Sequence, residues 1–212
     1  MIHFYTWATP NGRKVSILLE ELGLDYEVHV VNLTKQEQFH PDFLAISPNN
    51  RIPALVDEQA DGRSLSVFES GAILTYLAER HGRFLDAEGP GRFKALEWLH
   101  WQMGGLGPMV GQVAYFEKFA PEKSDVASRR FILEAERLFA VMEKRLAQVP
   151  FLAGEQYSIA DMASYPWIVT AQTFLKETLA DKLADKPALL AWAERLSQRP
   201  AVQRGMAVPK IG

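Results

Sequence analysis

The chain has no cysteine among its 212 residues. That absence excludes disulfides, a cysteine nucleophile, zinc–thiolate sites and iron–sulfur ligation. Any thiol chemistry must take its sulfur from a bound molecule. There is no apolar run of about 18 residues, so no membrane span is expected. The opening stretch, MIHFYTWATPNGRK, lacks the basic start and long apolar core of a signal peptide. The cytoplasm is therefore the expected compartment, with no membrane partner. Basic charge is not in excess: 23 Lys and Arg face 26 Asp and Glu, a net charge of -3. Nucleic-acid binding needs a basic stripe, so none is expected. His3, His29, His40, His81 and His100 are scattered, and no pair stands at metal-ligand spacing with carboxylates, so no metal is expected. There is no internal repeat and no low-complexity tract.

What is present is a globular composition, 48% apolar and 23% charged, in a chain long enough to bury a substantial core. The first eighty residues alternate between strand and helix patterns. Ile2 to Trp7 is aromatic and β-branched and predicts a strand. Thr9-Pro10 suits a helix start, and Val15, Leu18, Leu19 and Leu22 form one helical stripe that Gly23 ends. Tyr26 to Val31 predicts a second strand, parallel to the first if the crossover is right-handed. A polar segment over 32–47 carries a short turn at Pro41 to Leu44. Ala54 to Asp57 and Leu65 to Phe68 predict a hairpin around the loop 59–63, and a helix follows from about Ser70 to Arg80. The order is β-α-β-α-β-β-α.

After His81 the strand signal disappears. Leu96, Leu99, Met103 and Leu106 share one helical face, and Gly104-Gly105-x-Gly107-Pro108 should break or bend that helix. Further helices are predicted over about 123–148, after Tyr157, and near 187–197. The pattern is an α/β domain followed by an all-α domain: residues 1–82, a linker over 83–90, and residues 91–212.

Three local features stand out. In Ser47-Pro48-Asn49-Asn50-Arg51-Ile52-Pro53, a proline directly precedes a strand, where it cannot donate to the ladder. It is either an ordinary loop proline or a cis bond that turns the Ile52 backbone outward to pair with an extended peptide. In Phe68-Glu69-Ser70-Gly71, Ser70 stands where a strand becomes a helix. The pair is either a capping serine beside a solvated glutamate, or a grip for a group carrying both a carboxylate and an ammonium. Ser158-x-x-Asp161 is a capping-box variant, with Tyr157 and Met162 at the staple positions, and belongs to folding.

In this order and spacing, these features resemble the glutathione transferase superfamily along essentially the whole chain. Its fold is a thioredoxin-like N-terminal domain followed by a helical one. The chain looks closest to the bacterial Nu class, the disulfide-bond oxidoreductase type related to the yeast nitrogen-regulation prion protein. The supporting stretches are Thr9 to Gly12, Ile46 to Pro53, Phe68 to Leu74 and Trp101 to Met109.

The resemblance implies a glutathione site on the first domain, with glutathione, reduced or oxidised, as cosubstrate. Glutathione is γ-Glu-Cys-Gly and brings the missing thiol. Its cysteinyl backbone would pair with Ile52 beside Pro53, and its γ-glutamyl head would meet Glu69 and Ser70. Gln38 and Arg51 would lie toward the glycyl end. In the Nu class the sulfur is held by a threonine and an asparagine, matching Thr9 and Asn11; otherwise these two merely start a helix. Arg130 matches an arginine offered to a second glutathione. The implied activity is glutathione-dependent disulfide reduction, with weak peroxidase or transferase activity. The competing readings are a conventional transferase conjugating small electrophiles, and a non-catalytic binding module. A homodimer is implied as well.

Overall fold

The computed structural model describes residues 1–59 and 61–210. The chain divides into two compact units: one holds Met1–Arg83 and the segment from Arg199 onward, the other Phe84–Gln198.

The first unit is built on a four-stranded sheet of β1 (Ile2–Thr6), β2 (Tyr26–Val30), β3 (Ala54–Glu58) and β4 (Ser64–Phe68), in the order β2-β1-β3-β4. β1 and β2 run parallel; β1–β3 and β3–β4 are antiparallel. Strand alternation splits β1 between two faces. Phe4 is fully buried, along with Leu18 and Leu19 of α1 (Pro10–Leu22) and Ile73 and Leu77 of α3 (Ser70–His81). Tyr5 instead packs against Val31, Phe43, Ile52 and Ala54; Phe43 belongs to the short α2 (Pro41–Ile46). The hairpin, helix and crossover expectations over residues 1–81 match these elements, although Ala60 of the expected loop 59–63 lies outside the described residues.

Gly12 lets α1 approach β1: a Cβ there would collide with the Thr6 side chain and come within 2.6 Å of the Trp7 carbonyl. On its other side α1 receives α10 (Pro200–Met206), a helix the sequence pattern did not predict. A Cβ on Gly205 would meet the Ile17 backbone at 2.5 Å. The Ser16 hydroxyl donates to the Gly205 carbonyl at 2.6 Å, and Arg199 grips the Glu21 carboxylate with two bonds of 2.6 and 2.9 Å. This packing groups the end of the chain with the first unit, whereas the sequence reading assigns all of 91–212 to the helical domain.

The second unit is helical. α4 (Gly89–Trp101) continues through a π-helical turn, Gln102–Leu106, into α5 (Gly107–Ala114), and a second π-helical turn follows at Tyr115–Phe119. The glycine-rich break is thus a widened turn, and Pro108, which has no N–H to donate, follows it at the start of α5. α6 (Asp125–Leu146), α7 (Ile159–Gln172), α8 (Lys176–Leu183) and α9 (Pro187–Ser197) complete the unit. α8 was not predicted, being only eight residues long. The capping box at Ser158 is present. Asp161, fully buried, accepts from Leu152 N, Ser158 N, Ser158 Oγ and Trp192 Nε1 at 2.9 to 3.1 Å. Burial pushes its carboxyl up to about 6, against the pull of those four donors. Among the described residues no helix is long and apolar enough to cross a membrane.

Candidate functional site

Two turns of the first unit hold four of the nine expected site residues, Thr9, Asn11, Glu69 and Ser70. The first is the β1–α1 junction. Thr9 occupies the N-cap of α1 with extended backbone, yet its side chain makes no capping bond. Its Oγ1 is shielded from solvent and has no hydrogen-bond partner among the described residues. Buried hydroxyls are ordinarily bonded, and an N-cap threonine normally accepts from the following turn. Pro10 and Asn11 are the first two helical residues, and Asn11 is half-buried. The N–H groups that open the helix place a partial positive charge at the same point.

The second is the strand-to-helix turn after β4. Glu69 lies between Phe68 and Ser70 with φ 71 and ψ 116, a conformation rarely adopted by a residue with a side chain. Such strain is held only where the surroundings impose it, and functional turns are its usual place. Ser70 is the first helical residue and is 3% exposed. The position before it is the cap, so Ser70 is not the capping serine that the plainer reading of the sequence allowed. Glu69 itself is exposed.

The Ile52-Pro53 bond is cis. Among the described residues neither the N–H nor the C=O of Ile52 pairs with another backbone group. Its side chain is held in the cluster of Phe43, Val31 and Ala54, with Tyr5 and Trp7 beside it. Gln38 lies in a single turn of 3-10 helix, Glu37–Phe39, with its Oε1 shielded and, among the described residues, unpartnered. Arg51 is exposed.

Two further residues of this region escaped the sequence reading. Lys14 is 1% exposed, and its ammonium donates to Ser70 Oγ at 3.3 Å. Burial pushes Lys14 down to about 7, with Glu69 pulling the other way. Arg13, half-buried one turn in from Thr9, has a shielded Nε without a hydrogen-bond partner among the described residues; burial lowers its pKa. A signal for Lys14 did exist: it stands four residues before Leu18, on the apolar stripe of α1.

Tyr5 packs beside Ile52. Its ring stacks on His29 at 4.5 Å, and burial, then Glu27 and Glu58, raise its pKa. A phenol held protonated in this way is a poor source of negative charge. Arg130 belongs to the second unit. It lines a cavity of about 520 Å³ on α5 and α6 with Met109, Asp125, Arg129, Glu134 and Arg137. Arg137 is bound to Glu134 by bonds of 2.7 and 2.9 Å.

A mixed four-stranded sheet of this order, followed by a helical unit, defines a thioredoxin-like domain joined to an all-α domain. The profile described as "Glutathione S-transferase, N-terminal domain" matches residues 1–79, and "Glutathione S-transferase, C-terminal domain" matches residues 108–200. The chain belongs to the glutathione S-transferase family. It is 47% identical over 214 residues to the disulfide-bond oxidoreductase YfcG of Escherichia coli, covering 100% of this chain and 97% of that protein. Among solved structures, a glutathione transferase from Burkholderia graminis with two glutathione molecules per subunit superposes with a TM-score of 0.94 at 42% identity. That match covers 100% of this chain and 89% of the other. A glutathione transferase from Pseudomonas putida, with one glutathione disulfide per subunit, gives 0.93 at 39% identity and covers 98% and 91%.

Proposed function

We propose that the chain is a glutathione-dependent disulfide reductase. The observation that carries this reading is the shielded, unpartnered Thr9 hydroxyl at the positive end of α1, in a protein with no sulfur nucleophile of its own. A hydroxyl in that state fits a donor awaiting an anion. Glutathione would supply the anion as its thiolate, with Thr9 Oγ1 and the Asn11 amide donating to sulfur and the helix N-terminus adding its partial charge. The cysteinyl amide would pair with the free backbone groups of Ile52. The γ-glutamyl carboxylate would meet Ser70, with Lys14 behind it, and the ammonium would meet Glu69. Gln38 and Arg51 would take the glycyl end.

The reaction is thiol–disulfide exchange. The held thiolate attacks one sulfur of a small disulfide, a new S–S bond forms, and the other sulfur leaves as a thiolate that takes a proton from water. A second glutathione thiolate then attacks the mixed disulfide, releasing the second thiol and leaving glutathione disulfide. The protein contributes alignment and thiolate stabilisation. Arg130 is the proposed cation for the second glutathione, pairing with a glycyl or γ-glutamyl carboxylate. The relatives support this reading: one is a disulfide-bond oxidoreductase, and others hold two glutathiones or the disulfide. Pairing with a second copy is part of the proposal, and exposed Phe93, Val126 and Leu133 offer apolar surface for it.

The test is one preparation assayed three ways: reduction of 2-hydroxyethyl disulfide by glutathione, conjugation of an aryl halide, and calorimetric titration with reduced and oxidised glutathione. Disulfide reduction should exceed conjugation. The reverse ratio would make the chain a conjugating transferase, and no saturable binding of either form would make it a non-catalytic module.

A further inference from the structure

A second constellation lies away from these turns, across the first two strands. Parallel pairing sets His3 opposite Glu27 and Tyr5 opposite His29. Side chains alternate along a strand, so all four stand on one face of the sheet. The result is a cluster that spacing along the chain does not reveal. His3 Nδ1 and His29 Nε2 are 3.0 Å apart. Glu27 presents Oε2 at 3.3 Å from His3 Nδ1 and Oε1 at 3.7 Å from His29 Nε2. One ligand atom from each of the three residues falls within 4.8 Å of the others.

We propose that His3, His29 and Glu27 form a binding site for a divalent transition-metal ion of the zinc type, with Glu58 as the residue that orients His3. Zinc bonds of about 2.0–2.1 Å to nitrogen and oxygen put tetrahedral ligand atoms about 3.3 Å apart, and the observed separations bracket that value. Two imidazoles and one carboxylate suit zinc, and they would leave a fourth position for water. The side chains are partly open, His3 at 19%, His29 at 31% and Glu27 at 59%, so an ion can reach them.

Two independent observations support the assignment. A metal-binding histidine usually turns its other ring nitrogen to a carboxylate, which fixes the ring. His3 Nε2 is shielded from solvent and faces Glu58 Oε2 at 3.3 Å, without hydrogen-bond geometry. The main chain of Glu58 is anchored, its N–H donating to the Met1 carbonyl at 2.9 Å, while its side chain is mostly open to solvent. The second observation is the stacking of His29 on Tyr5, at 4.5 Å between ring centres and 14° between planes, which holds that ring in place. The two facing imidazole nitrogens share one hydrogen bond, so one of them carries a proton that would move to the other nitrogen of its own ring when a metal binds. The bound ion would clip edge strand β2 to β1 and stabilise the folded unit by mass action.

The experiment is calorimetric titration of tag-free, chelator-treated protein with Zn²⁺ in the absence of glutathione, whose thiol would compete for the ion. One ion per chain should bind saturably, and Zn²⁺ should raise the thermal unfolding midpoint. His29→Gln and Glu27→Gln should each weaken binding at least tenfold, and Glu58→Gln by about tenfold, the usual cost of losing an orienting carboxylate. In metal-free buffer the variants should unfold at the wild-type midpoint, which shows that they fold. Cobalt(II) should give the intense visible absorption of a four-coordinate site in wild type and lose it in His29→Gln. If wild type shows no saturable binding, or if both ligand variants bind as tightly as wild type, the assignment is wrong.

Discussion

The Lys14 ammonium donates to the Ser70 hydroxyl at 3.3 Å, inside the first unit and one residue from the strained Glu69. A buried lysine, cationic below about pH 7, therefore stands directly behind the turn that is proposed to grip the γ-glutamyl head.

That placement predicts a pH dependence. The folded-state value of Lys14 is about 7, below its usual 10.5. Between these values the unfolded chain holds a proton that the folded chain has released, so Lys14 makes stability rise with pH there; below about 7 the full cost of burying the charge is present. A ligand carboxylate beside Lys14 favours its charged form, so binding above about pH 7 takes up a proton. S-methylglutathione has no titrating thiol and isolates the effect. Its affinity should fall from pH 6 to pH 8 in wild type and stay flat in Lys14→Met. Parallel curves for the two proteins would remove Lys14 from the site. Glu69→Ala should weaken S-methylglutathione binding by about tenfold or more, the scale of one charge-assisted bond.

Asn11→Ala should lower kcat for disulfide reduction on the order of 10²-fold while changing the dissociation constant of glutathione far less. The proposed partner of the amide is the developing thiolate, and a donor of that kind acts on turnover. Thr9→Ser should keep most of the activity, because it keeps the hydroxyl, while Thr9→Val should lose it. Steady-state kinetics with calorimetry separates the two quantities; equal losses in both would contradict the role given to Asn11.

Gly205→Ala should destabilise the chain by about 1–3 kcal/mol, the usual cost of overpacking, because the added carbon meets the Ile17 backbone at 2.5 Å. Gly111→Ala is the control. The nearest atom there is on the Trp167 ring at 3.4 Å, an ordinary contact, so that variant should unfold near wild type. Urea melts of the pair check the difference. Equal midpoints would mean that α10 does not bind α1 as tightly as described.

Asp161→Ala should cost roughly 3 kcal/mol in the same assay, since it removes the partner of four donors and half of the capping box. Its glutathione titration should stay at the wild-type value, because the residue works in folding and not in the site.

The order of elements in the first unit was legible because strands and helices announce themselves by local period. Val15, Leu18 and Leu19 face the core as their spacing requires. α8 and α10 were not legible: at eight and seven residues they carry too little periodicity, and α10 owes its place to packing on α1. The same division runs through the candidate site. Glu69-Ser70 and Ile52-Pro53 were visible as motifs, but the unpartnered state of Thr9 Oγ1 and the burial of Lys14 are properties of packed surroundings.

By itself the sequence determined that the chain has no thiol of its own, that a β-α alternation gives way to helices, and which turns carry the residues proposed to hold a tripeptide. Only the tertiary structure decided that Ile52-Pro53 is cis, that Lys14 backs Ser70, and that His3, Glu27 and His29 converge across two strands. The reason is range: composition and period act within a few residues, whereas desolvation and cross-strand register depend on groups brought together from distant parts of the chain.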